Sequence, residues 1–165
     1  MRNEKSTDAP RSVASVTRRG LVGGSVAATL GGWPAQAQQH TFDAAAYVGK
    51  VLYLDFWASW CAPCQLSFPY MSHLLSTYNT TDFALVAVNV DHDRERADAF
   101  LSRVGGAVPV VFDARGAIAA RYQIKAMPTS LLFGRDGRKR FEHDGFNEGQ
   151  VATYDEHILE LLHER

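Results

Sequence analysis

The sequence predicts an α/β sandwich with a central mixed sheet and helices on both of its faces. Three observations carry that expectation. Val51 to Ala58 and Phe83 to Val90 are nearly continuous apolar runs of the kind that form strands buried on both faces. Each is followed by a stretch with apolar residues at helical spacing, and strand–helix alternation implies right-handed parallel crossovers. Near the end, Gly134-Arg135-Asp136-Gly137 separates two strand-like segments, and its Asp-Gly signals a hairpin that adds antiparallel strands. With 165 residues, 46% hydrophobic and 11% aromatic, the chain is the size of one domain with enough apolar surface for its own core.

Residues 1–37 stand apart from that domain. They run from a polar, Arg-containing start through Thr17-Arg18-Arg19-Gly20-Leu21, a Gly/Ala-rich stretch from Gly20 to Trp33, and Ala35-Gln36-Ala37. A charged start, a short apolar middle and an Ala-x-Ala end make a secretory signal with cleavage after Ala37. The paired arginines and the glycine-diluted apolar run resemble a twin-arginine signal. The alternatives are a disordered or mitochondrial-type leader or an uncleaved membrane anchor; the apolar run is short against the ~20 residues that span a bilayer, so no stable membrane insertion is expected after cleavage. The mature domain then comprises residues 38–165 and works in a bacterial periplasm, where disulfides persist. Beyond residue 37 there are twelve Lys and Arg against sixteen Asp and Glu, a balance that argues against nucleic acid as a partner.

Taken in order, Thr41 to Val48 reads as a short helical turn, and Gly49-Lys50 breaks it before the first strand. Pro63 suits the first turn of a helix in which Leu66, Tyr70, Leu74 and Tyr78 recur every fourth residue on one face, with Pro69 expected to kink it. After the second strand and the polar Asp91-His92-Asp93, Ala97, Phe100, Leu101 and Val104 mark another amphipathic helix, ended by Gly105-Gly106. Val108 to Phe112 reads as a short strand and Ala114 to Tyr122 as a third helix. Thr129 to Phe133 pairs through the Asp-Gly turn with Arg138 to His143. Asn147, with Gln150 three residues on, is expected to cap a last helix whose Val151, Tyr154, Ile158 and Leu161 face inward.

Chemistry is concentrated where the first strand gives way to the first helix. Trp60-Cys61-Ala62-Pro63-Cys64 holds the only two cysteines. Unpaired amides and the helix dipole at such a place favour a thiolate. A structural zinc site would need two more ligands at short spacing, and no second cysteine pair exists. The six histidines (His40, His73, His92, His143, His157, His163) are scattered along the sequence. A purely structural disulfide is also disfavoured, because closing so short a loop removes little unfolded-state entropy. Dithiol–disulfide exchange remains as the strong reading, with the Cys61–Cys64 pair itself carrying the electrons and no other cofactor or metal expected. Asp55 lies inside the first buried strand, where a charge costs several kcal/mol unless its pKa rises or water reaches it. A proton acceptor for a buried thiol has that property; the alternative is a solvent-facing carboxylate at a strand end.

The segment Asp55-Phe56-Trp57-Ala58-Ser59-Trp60-Cys61-Ala62-Pro63-Cys64, with Pro69 five residues later and Met127-Pro128-Thr129 before the fourth strand, resembles the thioredoxin superfamily. The stretch from Phe100 to Gly137, with Asp113-Ala114-Arg115-Gly116, Tyr122, Met-Pro-Thr and Arg-Asp-Gly, is similar to the exported TlpA/ResA-type branch. The match covers roughly residues 50–160. It implies a thioredoxin-like α/β/α sandwich with an extra strand–helix insertion before the cis-proline strand. It also implies Cys61 as the nucleophile and Cys64 as the resolving thiol, which agrees with Cys61 lying nearer the free amides and Cys64 deeper in the first turn. By the same resemblance Pro128 is a cis-proline that presents the Met127 backbone to an extended substrate segment, with Thr129 following. Trp60 and Pro63 are expected to border the site as an apolar docking surface, while Trp57 serves equally well as core. Asp91-His92-Asp93 places an acid where the branch often has one, with His92 either tuning the thiols or solvated in its loop. The lysine that thioredoxin keeps near its buried acid has no counterpart in Phe83 to Val90. The short segment before Lys50 leaves little room for the N-terminal hairpin of many members.

The implied activity is that of a periplasmic protein-disulfide reductase, a monomer. It would reduce disulfides of exported proteins such as an apocytochrome c or a copper-site protein, recharged by a membrane thiol electron donor. Ala62-Pro63 with Met127 looks like reductant members rather than Cys-Pro-His-Cys oxidants. A rival of a different class is a Cu(I)-binding delivery module using Cys61, Cys64 and Met127, soft ligands suited to that ion. A thiol peroxidase would need a Thr-x-x-Cys context that the sequence lacks.

Overall fold

Strand β1 (Val51–Trp57) is the middle of a five-stranded sheet in the computed structural model, which describes residues 42–78, 80–105 and 107–164. The expected export signal, residues 1–37, lies outside the described residues. After β1 come α1 (Cys64–Thr77), β2 (Phe83–Asn89), α2 (Arg94–Val104), β3 (Val110–Phe112), α3 (Ala117–Arg121), β4 (Thr129–Phe133), β5 (Lys139–Asp144) and α4 (Val151–His163). The strand order is β3-β2-β1-β4-β5. β1 runs parallel to β2 and antiparallel to β4, so the sheet is mixed as expected, with β3 and α3 inserted ahead of β4. All seven residues of β1 are buried, which is why its sequence is apolar without alternation. Among the described residues no helix is long and apolar enough to cross a membrane.

Strand alternation sorts the core into two layers. Val51, Tyr53 and Trp57 point to the side where Cys64, Phe68, Met71 and Leu74 of α1, Phe100 of α2, and Tyr154, Ile158 and Leu161 of α4 pack. Leu52, Leu54 and Phe56 point to the opposite side, with Val86, Val88, Leu131, Phe133, Ile118 of α3 and Phe42. Trp57 belongs wholly to the core, its ring centroid 4.9 Å from Phe68 and 4.8 Å from Phe100.

Several element details differ from the sequence reading. The buried face of α1 follows Cys64, Ser67, Phe68, Tyr70, Met71 and Leu74, so Tyr70 and Leu74 of the expected stripe lie in the core, whereas Leu66 is 49% exposed and Tyr78 half-buried. A spacing of four alone drifts around a helix of 3.6 residues per turn, so the two ends of that stripe turn away from the core while its middle stays in it. The third helix begins only at Ala117, because Asp113 to Gly116 forms a tight turn. In it the Gly116 N–H donates to the Asp113 carbonyl at 2.8 Å, and Gly116 adopts φ +68°. The Asp113 carboxylate then accepts the Ala119 N–H at 2.8 Å. Asn147 caps a 3-10 turn, Glu148–Gln150, by accepting the Gly149 N–H, and α4 starts after it. The N-terminal helical turn is a 3-10 turn over Ala44–Tyr47, capped by the Asp43 side chain. Val51–Trp57 is the first strand among the described residues.

Candidate active site

The loop from Ala58 to Pro63 joins the C-terminal end of β1 to the first turn of α1. No side chain caps that helix start, since its N-cap is Pro63, and no acidic residue occupies the first turn. In the first turn the Gln65 N–H donates to the Ala62 carbonyl at 3.1 Å and the Leu66 N–H to the Pro63 carbonyl at 3.0 Å, which leaves the Cys64 N–H for sulfur. Cys61 and Cys64 form a disulfide with Cα atoms 5.4 Å apart. The Cys64 N–H donates to Cys61 Sγ at 3.2 Å. A backbone donor aimed at one of the two sulfurs favours the thiolate of that residue once the bond is reduced. Cys61 is more enclosed than the sequence suggests, while Cys64 is the more buried of the two, as expected. Cys61 is 4% exposed and Cys64 fully buried, while the neighbouring Trp60 is 67% exposed and Ala62 and Pro63 are exposed. Cys61 is enclosed because it packs into the same core layer as Cys64, Trp57 and Phe68.

The carboxyl of Asp55 is fully buried. Alternation along β1 puts it on the face of Tyr53 and Trp57, which is the face that carries α1 and Cys64. The solvent-facing alternative is thereby removed. Burial pushes its pKa up to about 7, against the pull of one hydrogen bond, donated by Ser130 Oγ to Oδ1 at 2.6 Å. The other oxygen, Oδ2, has no partner among the described residues. That donor to Oδ1 is a serine of β4, directly opposite Asp55 in the strand pairing.

At the start of β4 the Met127–Pro128 peptide is cis. Met127 is half-buried and packs against the core layer that contains both cysteines. Pro128 is buried, and its carbonyl accepts the Gly145 N–H at 2.7 Å. Thr129, which follows the cis-proline, turns its side chain inward. It is fully buried, and its hydroxyl lies 2.9 Å from the Ala126 carbonyl and 3.0 Å from the Asp144 carboxylate. It ties the cis-proline loop to β5 instead of facing outward.

Asp91 anchors the cysteine loop from the other side. It is 5% exposed and accepts the Ser59 N–H at 2.9 Å, the Ser59 hydroxyl at 3.0 Å and the Asn89 side-chain amide at 2.8 Å. Asn89 in turn accepts the Asp91 N–H at 3.1 Å. Neither Ser59 nor Asn89 carried a signal in the sequence beyond lying next to the cysteine loop and at a strand end. His92 is exposed, with Nδ1 2.7 Å from the Ala114 carbonyl, which fastens the loop to the turn before α3. Trp60, Val90, Asp91, His92, Asp93 and Arg96 line a cleft of 370 Å³.

The histidines are not all isolated. His143 of β5 and His157 of α4 meet with ring nitrogens 2.9 Å apart, and His157 stacks on Phe141. Burial first and His157 second lower the pKa of His143 to about 4. Among the described residues no group of three or more His, Cys, Asp or Glu is arranged to hold a metal ion.

Comparison with known proteins agrees with this geometry. The family model described as Redoxin matches residues 28–158. The thiol-disulfide oxidoreductase ResA of Geobacillus thermodenitrificans is 33% identical over 92 residues, 56% of this chain and 53% of its own. ResA of Bacillus subtilis is 32% identical over 90 residues, 54% of this chain and 50% of its own. The chain thus spans about half the length of the curated relatives it matches. Among solved structures, a candidate thiol:disulfide interchange protein DsbE from Chlorobium tepidum superposes with a TM-score of 0.69 at 40% identity, covering 72% of this chain and 84% of that one.

Proposed function

The chain belongs to the Redoxin family, as a thioredoxin-superfamily protein of the ResA/TlpA type, and on that premise we propose that it is an exported thiol–disulfide oxidoreductase acting as a reductant. The observation that carries the reading is the Cys61–Cys64 pair at an uncapped helix start, with the Cys64 amide on Cys61 Sγ. In the reduced protein the Cys61 thiolate attacks one sulfur of a substrate disulfide and expels the other as a thiolate. A mixed disulfide results. Asp55 takes the proton of Cys64, whose sulfur attacks Cys61 Sγ, releases the reduced substrate and closes the Cys61–Cys64 bond. A thiol donor at the membrane returns the two electrons.

The substrate segment pairs with the backbone at Met127, and the exposed Trp60 and Pro63 give it an apolar footing. The cleft lined by Trp60, His92 and Arg96 receives a side chain of that segment. Residues 1–37 direct export to the periplasm by the twin-arginine route, and the substrates are disulfides of exported proteins, an apocytochrome c or a copper-site protein among them.

Trapping tests the reading. Replacing Cys64 by Ser leaves the first step intact and blocks the second, so an exported protein should remain disulfide-linked to Cys61. Trapping nothing, with Cys61→Ser behaving alike, would rule out thiol exchange. A reduction potential near the oxidant end of the scale, around −120 mV, would remove the reductant assignment.

A further inference from the structure

Asp55 belongs to a chain of three buried polar side chains. The Tyr53 hydroxyl donates to Ser130 Oγ at 2.8 Å, and Ser130 Oγ donates to Asp55 Oδ1 at 2.6 Å. The sheet register assembles them. Asp55 and Ser130 are directly paired across β1 and β4, and Tyr53 is the preceding residue on the same face of β1. Tyr53 is 1% exposed, Ser130 4% and Asp55 not at all.

The direction of donation in this chain is constrained. Ser130 has a single hydroxyl proton, and an ionised Asp55 can only accept. Among the described residues the phenol proton of Tyr53 has no acceptor other than Ser130. Reversing the chain would leave that proton unpaired in the core, a state that buried donors avoid. Tyr53 therefore donates to Ser130, Ser130 donates to Oδ1, and Oδ1 is confined to accepting. Oδ2, which has no partner among the described residues, is the oxygen left to take up a proton.

We propose that Tyr53 and Ser130 are positioning residues for the proton transfer. They hold Oδ1 as a fixed acceptor, so that Oδ2 alone exchanges the proton of Cys64. This rests on Asp55 being the acceptor for that thiol. In the step the Cys64 S–H bond breaks and an Oδ2–H bond forms. The electron pair left on sulfur attacks Cys61 Sγ of the mixed disulfide, and the substrate leaves as a thiolate. Burial keeps the Tyr53 phenol protonated, as a fixed donor must be, and the Ser130 bond opposes the effect of burial on Asp55.

The test follows the Asp55 carboxyl by infrared difference spectroscopy in the whole protein, together with the pH profile of mixed-disulfide resolution in single turnovers. Ser130→Ala should move the carboxyl midpoint upward. Below that midpoint resolution should slow about tenfold, the effect of losing one hydrogen bond to a charged acceptor. Tyr53→Phe, which frees the serine hydroxyl to turn away, should shift both readouts the same way by about threefold. Ser130→Thr, which keeps the hydroxyl, should restore the parent midpoint. If Ser130→Ala does not fold, Tyr53→Phe decides, because it deletes one oxygen and no packing carbon. Unshifted midpoints in both variants, with Asp55→Asn still flattening the profile, would overturn this assignment and leave Asp55 as the acceptor. An unchanged profile in Asp55→Asn would overturn both.

Discussion

Replacing Asp55 by Asn should make the protein more stable at neutral pH, by an amount that depends on pH in a defined way. The carboxyl titrates near 7 in the fold against 3.8 for the free side chain, and burial is the main cause. Between those values the folded state holds a proton that the unfolded chain releases. Stability therefore falls as pH rises through that window, the opposite of a carboxylate held by a salt bridge. Three units correspond to about 4 kcal/mol, or a shift in melting temperature on the order of ten degrees for a domain of this size. The assay is urea unfolding of the oxidised parent and the Asn variant at about pH 5 and about pH 8, read as the difference between the two proteins. Other titrating groups cancel in that difference. It should widen by roughly 3 kcal/mol in favour of the variant on going to the higher pH. A difference that stays constant would mean that Asp55 is not held protonated by burial and is not suited to relay the proton of Cys64.

Two further outcomes are expected. Asp91→Ala leaves the Ser59 N–H, the Ser59 hydroxyl and the Asn89 amide without their shared acceptor. It should cost about 2–4 kcal/mol in urea unfolding and slow thiol exchange by loosening the cysteine loop, whereas unchanged stability would show that the anchor contributes nothing. His143 acts opposite to Asp55. Its pKa is lowered to about 4 from 6.5, so the folded state refuses a proton that the unfolded chain takes up, and stability is lost as pH falls through that range. Because the ring is only half-buried, solvent screening brings the expected loss to about 1–2 kcal/mol. His143→Phe should abolish the slope, and an imidazole titration near the ordinary value in the parent would refute it.

The strands buried on both faces, the order of elements and the redox pair were legible because each is a local property. An apolar run without alternation, a cysteine pair three residues apart and an Asp-Gly turn announce themselves within a few residues. The buried acid could also be read, since Asp55 interrupts one of those runs. The exposure of Leu66 and the direction of the Thr129 side chain were not legible, for a common reason. A spacing of four does not say which side of a helix meets the sheet, and a residue type in a motif does not say which way its side chain points.

Sequence alone thus determined the fold class, the placing of Cys61 and Cys64 where the first strand gives way to the first helix, and the presence of an acid on that strand. Only the tertiary structure decided what surrounds them. Ser130 lies 75 residues from Asp55 and Asp91 lies 32 from Ser59, and nothing local links either pair. They meet because the antiparallel register of β1 and β4, and the end of β2 beside the cysteine loop, bring them within hydrogen-bond distance. Register comes from packing all the apolar faces at once, so the partners that set a buried proton's place appear only when the whole sheet is assembled.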